Sequence, residues 1–177
     1  MLHQEVSELT LINHLQTIVL IIRNLSFVKQ NEHQLIKCYR IVDIIVSLFV
    51  DLADRELTCN CLDIITNLGK QIVLSELVYG AELVDALFTL AQAVQVGSLP
   101  GVSEESVDLA VECLRRLTLT GGNEVYLENL RDPDIQLLVN LLVSPSLETR
   151  EAALEILCTI SDKDTQNAAL KLRIASQ

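Results

Sequence analysis

The sequence predicts an all-α fold of stacked helical repeats, and three observations carry that prediction. Glycine and proline punctuate the chain without interrupting it: Gly69, Gly80, Gly97, Gly101, Gly121, Gly122, Pro100, Pro133 and Pro145 all fall where an apolar period of three to four residues lapses. Four segments end alike, as Ile21-Ile22-Arg23-Asn24-Leu25-Ser26, Ile64-Ile65-Thr66-Asn67-Leu68-Gly69, Cys113-Leu114-Arg115-Arg116-Leu117-Thr118 and Ile156-Leu157-Cys158-Thr159-Ile160-Ser161, with first residues 43, 49 and 43 apart. Half of the 177 residues are apolar but only 3% are aromatic and none is Trp, so the apolar half is Leu, Ile and Val, which fill grooves between helices without a polar handle to satisfy.

In chain order, a first long helix is read near 13–26, where Leu15, Ile18, Val19 and Ile22 keep a helical period. A short helix follows at Asn31-Glu32, and a second one holds Ile45-Val46-Ser47-Leu48-Phe49-Val50. The next long helix spans 55–69 and stops at Gly69; beyond Gly80, Leu87-Phe88-Thr89-Leu90-Ala91-Gln92 repeats the second element in the same phase. The Gly/Pro-bearing stretch 96–102 accounts for the longer middle interval, and Ser103 before Glu104-Glu105 is a start signal for a long helix over 104–118. Gly121-Gly122 reads as a helix C-terminal turn. Asn123-Glu124 follows Thr118 by the same five residues that separate Asn31-Glu32 from Ser26, which fixes the register between units. Asp132-Pro133 places a capping Asp before a Pro at the first helical position, and Leu138-Val139-Asn140-Leu141-Leu142-Val143 is the third copy of the second element. Ser146 precedes the last long helix at 147–161, and one more short helix is read at 165–174. Aliphatic runs such as Ile18-Val19-Leu20-Ile21-Ile22 lie inside segments with no turn chemistry beside them, so no hairpin is expected.

Each unit is therefore a short first helix, a second helix and a longer third helix. A period of about 43 residues lies in the armadillo and HEAT range, and three helices per unit favour armadillo. The expected fold is an all-α, armadillo/HEAT-like right-handed α-solenoid of about four repeats, in one array over 1–177. A single unit is too thin to bury its own apolar face, so stacking is expected to bury Leu25, Leu68, Leu117 and Ile160 against neighbouring units. Tyr39, Tyr79 and Tyr126 each recur near a first helix and are expected to pack between helices. The chain opens inside a third helix and closes just after a first one, without polar caps. It therefore reads as a segment of a larger protein, or one whose ends partners cover, and its uncapped ends favour self-association.

Thirteen basic against 24 acidic residues give a net charge of −11, which argues against a phosphate-binding surface and for basic protein partners; no direct nucleic-acid contact is expected. The charged fraction is too small and the apolar fraction too large for disorder. The longest charge-free stretch, 86–103, contains Gly97, Pro100 and Gly101, so no membrane span is expected. Residues 1–6 carry neither the basic nor the apolar region of a secretory leader, which reads as a cytosolic or nuclear protein. Cys38, Cys59, Cys61, Cys113 and Cys158 lie in aliphatic helical patterns and are read as reduced, small hydrophobes.

No catalytic, cofactor-binding or metal-ligating set can be placed. His3, His14 and His33 all lie in the first fifth of the chain, and Cys59 and Cys61 are about 200° apart around a helix, so they cannot grip one ion. Gly121-Gly122 lacks the Lys-Ser/Thr sequel of a phosphate cradle. The candidate surface is the concave groove lined by the third helices. Its aligned column is Asn24, Asn67, Arg116 and Thr159, an Asn ladder broken after two rungs; a longer one could hold an extended peptide backbone. One turn earlier stand Leu20, Asp63, Glu112 and Glu155. The three carboxylates form either an acidic strip complementary to a Lys/Arg-rich helix or loop, or a solvated face. Arg115-Arg116 and Lys163 are read as ordinary solvated charges.

The stretch Leu15-Gln16-Thr17-Ile18-Val19-Leu20-Ile21-Ile22-Arg23-Asn24-Leu25-Ser26-Phe27, followed by Asn31, resembles the armadillo region of the AT-rich-interaction (ARID) subunit of the PBAF form of SWI/SNF chromatin remodellers. Arg23-Asn24-Leu25-Ser26-Phe27 with a following Asn is the specific part, and it is also similar to the large ARID subunit of the BAF form. Leu62-Asp63-Ile64-Ile65-Thr66-Asn67-Leu68 fits the family's second unit, and Ala153-Leu154-Glu155-Ile156-Leu157 with Ile160-Ser161 fits a later one. The resemblance implies a non-enzymatic scaffold in a nuclear, ATP-dependent remodeller. Its armadillo array would hold other subunits together and contact a helical segment of the ATPase N-terminal to the motor, with no cofactor or small molecule. Only Asn24 carries over residue for residue. Neither an ARID nor zinc fingers occur in this chain, so DNA binding does not carry over. The competing reading is an armadillo adaptor that binds a basic extended peptide or helix in its groove; an enzyme rests on no motif.

Overall fold

The computed structural model describes residues 2–51, 55–96, 104–128 and 130–162. Nine helices run through them: α1 (Leu2–Ser26), α2 (Lys29–Lys37), α3 (Tyr39–Asp51), α4 (Arg55–Leu68), α5 (Gly80–Val96), α6 (Glu104–Thr118), α7 (Glu124–Glu128), α8 (Asp132–Leu141) and α9 (Leu147–Asp162). The described residues contain no strand. The order repeats as first, second and third helix: α2-α3-α4, then two 3-10 turns with α5-α6, then α7-α8-α9, all following the third-type helix α1. The chain is an all-α solenoid. Its third helices pack in sequence, α1 on α4, α4 on α6 and α6 on α9, while α3, α5 and α8 each pack on the third helix of their own unit. The apolar residues at three-to-four spacing thereby meet in one continuous core that runs from Val19 through Phe49, Leu62, Phe88 and Leu114 to Ile156.

Leu68, Leu117 and Ile160 are buried as stacking requires, but Leu25 is 44% exposed. The cause is positional. On α4, α6 and α9 the second helix of the same unit packs alongside, and no described helix plays that part for α1. Tyr79 and Tyr126 pack half-buried on the core, whereas Tyr39, at the start of α3, is exposed. α1 begins at Leu2 and not near residue 13.

The middle unit departs from the expected three helices. Where α2 and α7 stand in their units, it has only the 3-10 turns Gly69–Gln71 and Leu74–Glu76, with Ile72 and Val73 extended. The backbone groups that a helix would satisfy internally are taken up by the next unit. The Asn123 amide donates to the carbonyls of Ile72 (2.8 Å) and Leu117 (2.9 Å), and its Oδ1 accepts from the backbone N–H of Leu74 (2.8 Å). Asn31 makes the equivalent bond to Leu25 O at 3.1 Å. Both asparagines reach back six residues, so the register read from the recurring Asn-Glu pair has a direct physical basis.

Helix ends follow local chemistry. Ser146 caps α9, its Oγ accepting from the Thr149 N–H at 3.2 Å. Gly122 adopts φ +93° in the turn after α6, a left-handed conformation that glycine enters without a Cβ penalty. At α8 the cap is Arg131 and not Asp132: the helix starts at Asp132, and the buried Asp134 carboxylate accepts from the Arg131 N–H (3.2 Å) and its Nε (2.9 Å). Ser103, Lys163 and the short helix read at 165–174 lie outside the described residues.

Candidate protein-binding groove

On a helix, positions 3, 4 and 7 apart share a face. In α6 these are Glu105, Asp108 and Glu112, and in α9 Glu148, Glu151 and Glu155. α4 supplies Cys59 and Asp63 in the same phase. Stacking α1, α4, α6 and α9 brings these faces together as one open cleft of about 850 Å³. Its wall holds seven carboxylates, those of Asp63, Glu105, Asp108, Glu112, Glu148, Glu151 and Glu155, against two guanidinium groups, those of Arg23 and Arg115. Leu62, Leu109 and Ala152 give it an apolar floor. A concave, low-dielectric wall of one prevailing sign concentrates a field that attracts cations.

The three carboxylates read from the sequence, Asp63, Glu112 and Glu155, line this cleft, and each is held by arginine. Arg23 Nε on α1 pairs with Asp63 on α4, and Arg115 Nη1 on α6 pairs with Glu155 on α9 at 2.7 Å. Both pairs span 40 residues, an arginine near the end of one third helix reaching the carboxylate one turn earlier on the next. At the middle junction that arginine position is Thr66. Glu112 is served instead from its own helix, by Arg115 Nε (2.6 Å) and Arg116 Nε (2.6 Å). Burial alone would raise the Glu112 pKa, but the hydrogen bonds and charges of Arg115 and Arg116 outweigh it and hold the carboxyl below its ordinary range. Arg115 is pushed above its ordinary value, chiefly by Glu112 and further by Glu155 against a smaller opposing effect of burial.

Asn24, Asn67 and Arg116 are not part of the cleft wall. Asn24 is exposed on α1. Asn67 donates to Ser26 Oγ at 3.0 Å, and Arg116 Nη1 donates to Thr66 O at 3.1 Å, so both fasten one third helix to the preceding one. Thr120, just past α6, adds a bond to Gly69 O, just past α4, at 3.1 Å. Arg115 and Arg116 are half-buried structural cations and not ordinary solvated charges. The motif residues take part in the same junction: Arg23 lies over the Phe27 ring at 5.0 Å, and Ser26 Oγ donates to Arg23 O at 2.7 Å.

Sequence reading missed Glu105, Asp108, Glu148 and Glu151. They stand four and seven residues before Glu112 and Glu155, so following the acidic column back two turns would have found them. Glu105, Glu148 and Glu151 form no ion pair among the described residues, and they leave the cleft with uncompensated negative charge. Cys59 lines the cleft while Cys61 is buried, facing away as their spacing requires. Cys61 and Cys113 are buried thiols whose pKa burial pushes up to about 12. Cys38 and Cys158 are exposed, against the expectation of five small buried hydrophobes; all five thiols are free. No helix among the described residues is long and apolar enough to cross a membrane.

No protein-family model matches the sequence, and no curated protein does. Among solved structures the chain is similar to an engineered protein from a structural genomics consortium, with a TM-score of 0.64 at 16% identity over 91% of this chain. The chain spans 60% of that protein's length. A designed armadillo repeat protein superimposes with a TM-score of 0.49 at 16% identity, over 89% of this chain and 81% of its own. At such identity the first likeness speaks to the fold alone, an all-α solenoid whose third helices stack along one face.

Proposed function

We propose that the chain is a non-enzymatic interaction scaffold whose groove holds a Lys/Arg-rich helix or extended segment of a partner protein. One observation carries the reading: seven carboxylates and two arginines line a single open cleft, and Glu105, Glu148 and Glu151 project into it with no ion pair among the described residues. Asp63, Glu112 and Glu155 form the floor of the charge pattern, already oriented by arginines. The exposed acids around them steer and grip the incoming cations. Binding is tested by fluorescence anisotropy with a labelled Lys/Arg-rich helical peptide. Reversing Glu105, Glu148 and Glu151 together to Lys leaves the ion-paired framework intact. It is expected to weaken binding by at least about tenfold and to flatten its salt dependence. Unchanged affinity at low salt overturns the proposal.

The setting we propose is a nuclear chromatin remodeller of the PBAF type, supported by the resemblance of Arg23-Asn24-Leu25-Ser26-Phe27 and Asn31 to the armadillo region of its ARID subunit. In that setting the partners are other remodeller subunits, including a helical segment of the ATPase, and this region contacts neither nucleic acid nor membrane nor small molecule. Affinity purification from nuclear extract tests it: co-purification of a remodelling ATPase, identified by mass spectrometry, is the expected result. Recovery without one overturns the assignment while leaving the groove proposal standing.

A further inference from the structure

Cations are placed unevenly along the chain. Residues 9–42 hold one acid, Glu32, against Arg23, Lys29, Lys37 and Arg40, in a sequence with 24 acidic and 13 basic residues. Arg23 is committed to Asp63, but Lys29, Lys37 and Arg40 are exposed and form no ion pair among the described residues. α2 gathers them. Lys29, His33 and Lys37 recur every four residues and, with Gln30 and Gln34, make its outer face, while Leu35 and Ile36 lie half-buried on the core. The turn into α3 is tight, the Cys38 N–H donating to Leu35 O at 3.0 Å and the Ile41 N–H to Cys38 O at 2.7 Å, so the exposed Tyr39 and Arg40 follow directly after Lys37. The neighbouring acids stand off this face. Glu32 accepts from Gln71 Nε2 at 3.1 Å, Asp43 accepts from the Val78 N–H at 2.9 Å, and Glu76 shares the wall of a small crevice with Tyr39.

α2 buries none of its residues, whereas α7, the other first helix, buries Leu127. Its outer face is open by composition and not by its place in the array. Asn31 and Asn123 align the two first helices, and Gln30 and His33 then correspond to Gly122 and Val125, which are exposed although a unit precedes α7. Lys, Gln and His are side chains that stay in water and do not pack beneath a neighbouring helix. We infer that this face of α2 docks an acidic protein segment, a run of Asp and Glu on a partner other than the one in the groove. Charge complementarity selects that occupant. Lys29 and Lys37 stand about 12 Å apart along the helix, a span that a segment of about four extended residues covers. Tyr39 adds a phenol donor at the Arg40 end. A nucleic acid fits less well: tight duplex binding takes roughly six to ten phosphate contacts, more than these three cations supply, and the net charge of −11 repels a long polyanion. No residue of α2 lines the acidic cleft, so the two surfaces serve partners of opposite charge independently.

The test is fluorescence anisotropy of the full 177-residue chain with a labelled Asp/Glu-rich peptide, beside its Asn/Gln counterpart and a labelled DNA duplex. Saturable binding of the acidic peptide is expected, weakening as salt rises, with none of the neutral one. Lys29→Gln with Lys37→Gln and Arg40→Gln is expected to raise the dissociation constant by at least about tenfold. All three side chains are exposed, so the circular dichroism and melting temperature stay unchanged. Glu105→Gln with Glu148→Gln and Glu151→Gln, in the cleft, leaves the affinity within about threefold, which separates this surface from the groove. Three results overturn the inference: no saturable binding of the acidic peptide up to submillimolar concentration, binding that survives the triple substitution in α2 and α3, or a duplex that binds more tightly than the peptide and loses that affinity in the same variant.

Discussion

Asn123 does the work that a helix does in the other units. It is fully buried, with 0% exposure, and its amide closes three backbone bonds, two to Ile72 and Leu74 where the 3-10 turn Leu74–Glu76 begins and one to Leu117 at the end of α6. Its removal orphans the Leu74 N–H and the Ile72 carbonyl away from water, while Leu117 O keeps the Thr120 N–H at 3.3 Å; an unsatisfied buried polar group carries its full desolvation penalty. Asn123→Leu is therefore expected to destabilise the chain by about 2–4 kcal/mol in urea unfolding. The matching Asn31→Leu loses one bond at an exposed site and is expected to cost less than about 1 kcal/mol. Equal effects would mean that the two asparagines are merely sequence coincidences. The recurrence of Asn-Glu after α1 and after α6 was legible in the sequence. The bridge to Ile72 and Leu74 was not, because it crosses about fifty residues to a segment whose missing helix leaves no mark in apolar periodicity.

At the scale of the element, each third helix is both a wall of the groove and a rung of the stack, and α6 shows how these duties share residues. Its tail pattern and its stop at Thr118 were legible, since the same ending recurs in α4 and α9. The use of Arg115 and Arg116 was not, since a helix surface charge looks the same in sequence whether water or a carboxylate one repeat away holds it. Glu112 ties the two arginines together, and its folded-state pKa is held below the ordinary value of 4.5. A depressed folded pKa means that the stabilising contribution is complete above the ordinary carboxylate value and is lost as pH falls through the lower folded value. Glu112→Gln is accordingly expected to cost about 1 kcal/mol near neutral pH, discounted for the partial exposure of the pair. The difference between wild type and variant should close as pH falls below the carboxylate range. Urea midpoints measured across that range check it, and a difference that grows on acidification would reverse the sign of the argument.

At the scale of the whole molecule, the stack has an inside and two ends. α4 packs against α1, α3 and α6, and α6 against α4, α5 and α9, whereas α1 packs chiefly on α4 and α2 among the described residues. In a quasi-one-dimensional array, stability is a sum of unit and interface terms, so an element with neighbours on both sides opens least often. The amides of α4 and α6 are therefore expected to exchange slowest in native-state hydrogen exchange, with protection falling toward α1 and α9. The repeat order that dictates this gradient was legible from spacings of 43, 49 and 43 residues, and the buried Leu68, Leu117 and Ile160 follow from it. Uniform protection across all four third helices would show that the chain unfolds as one cooperative globule and not as a stack of separable interfaces.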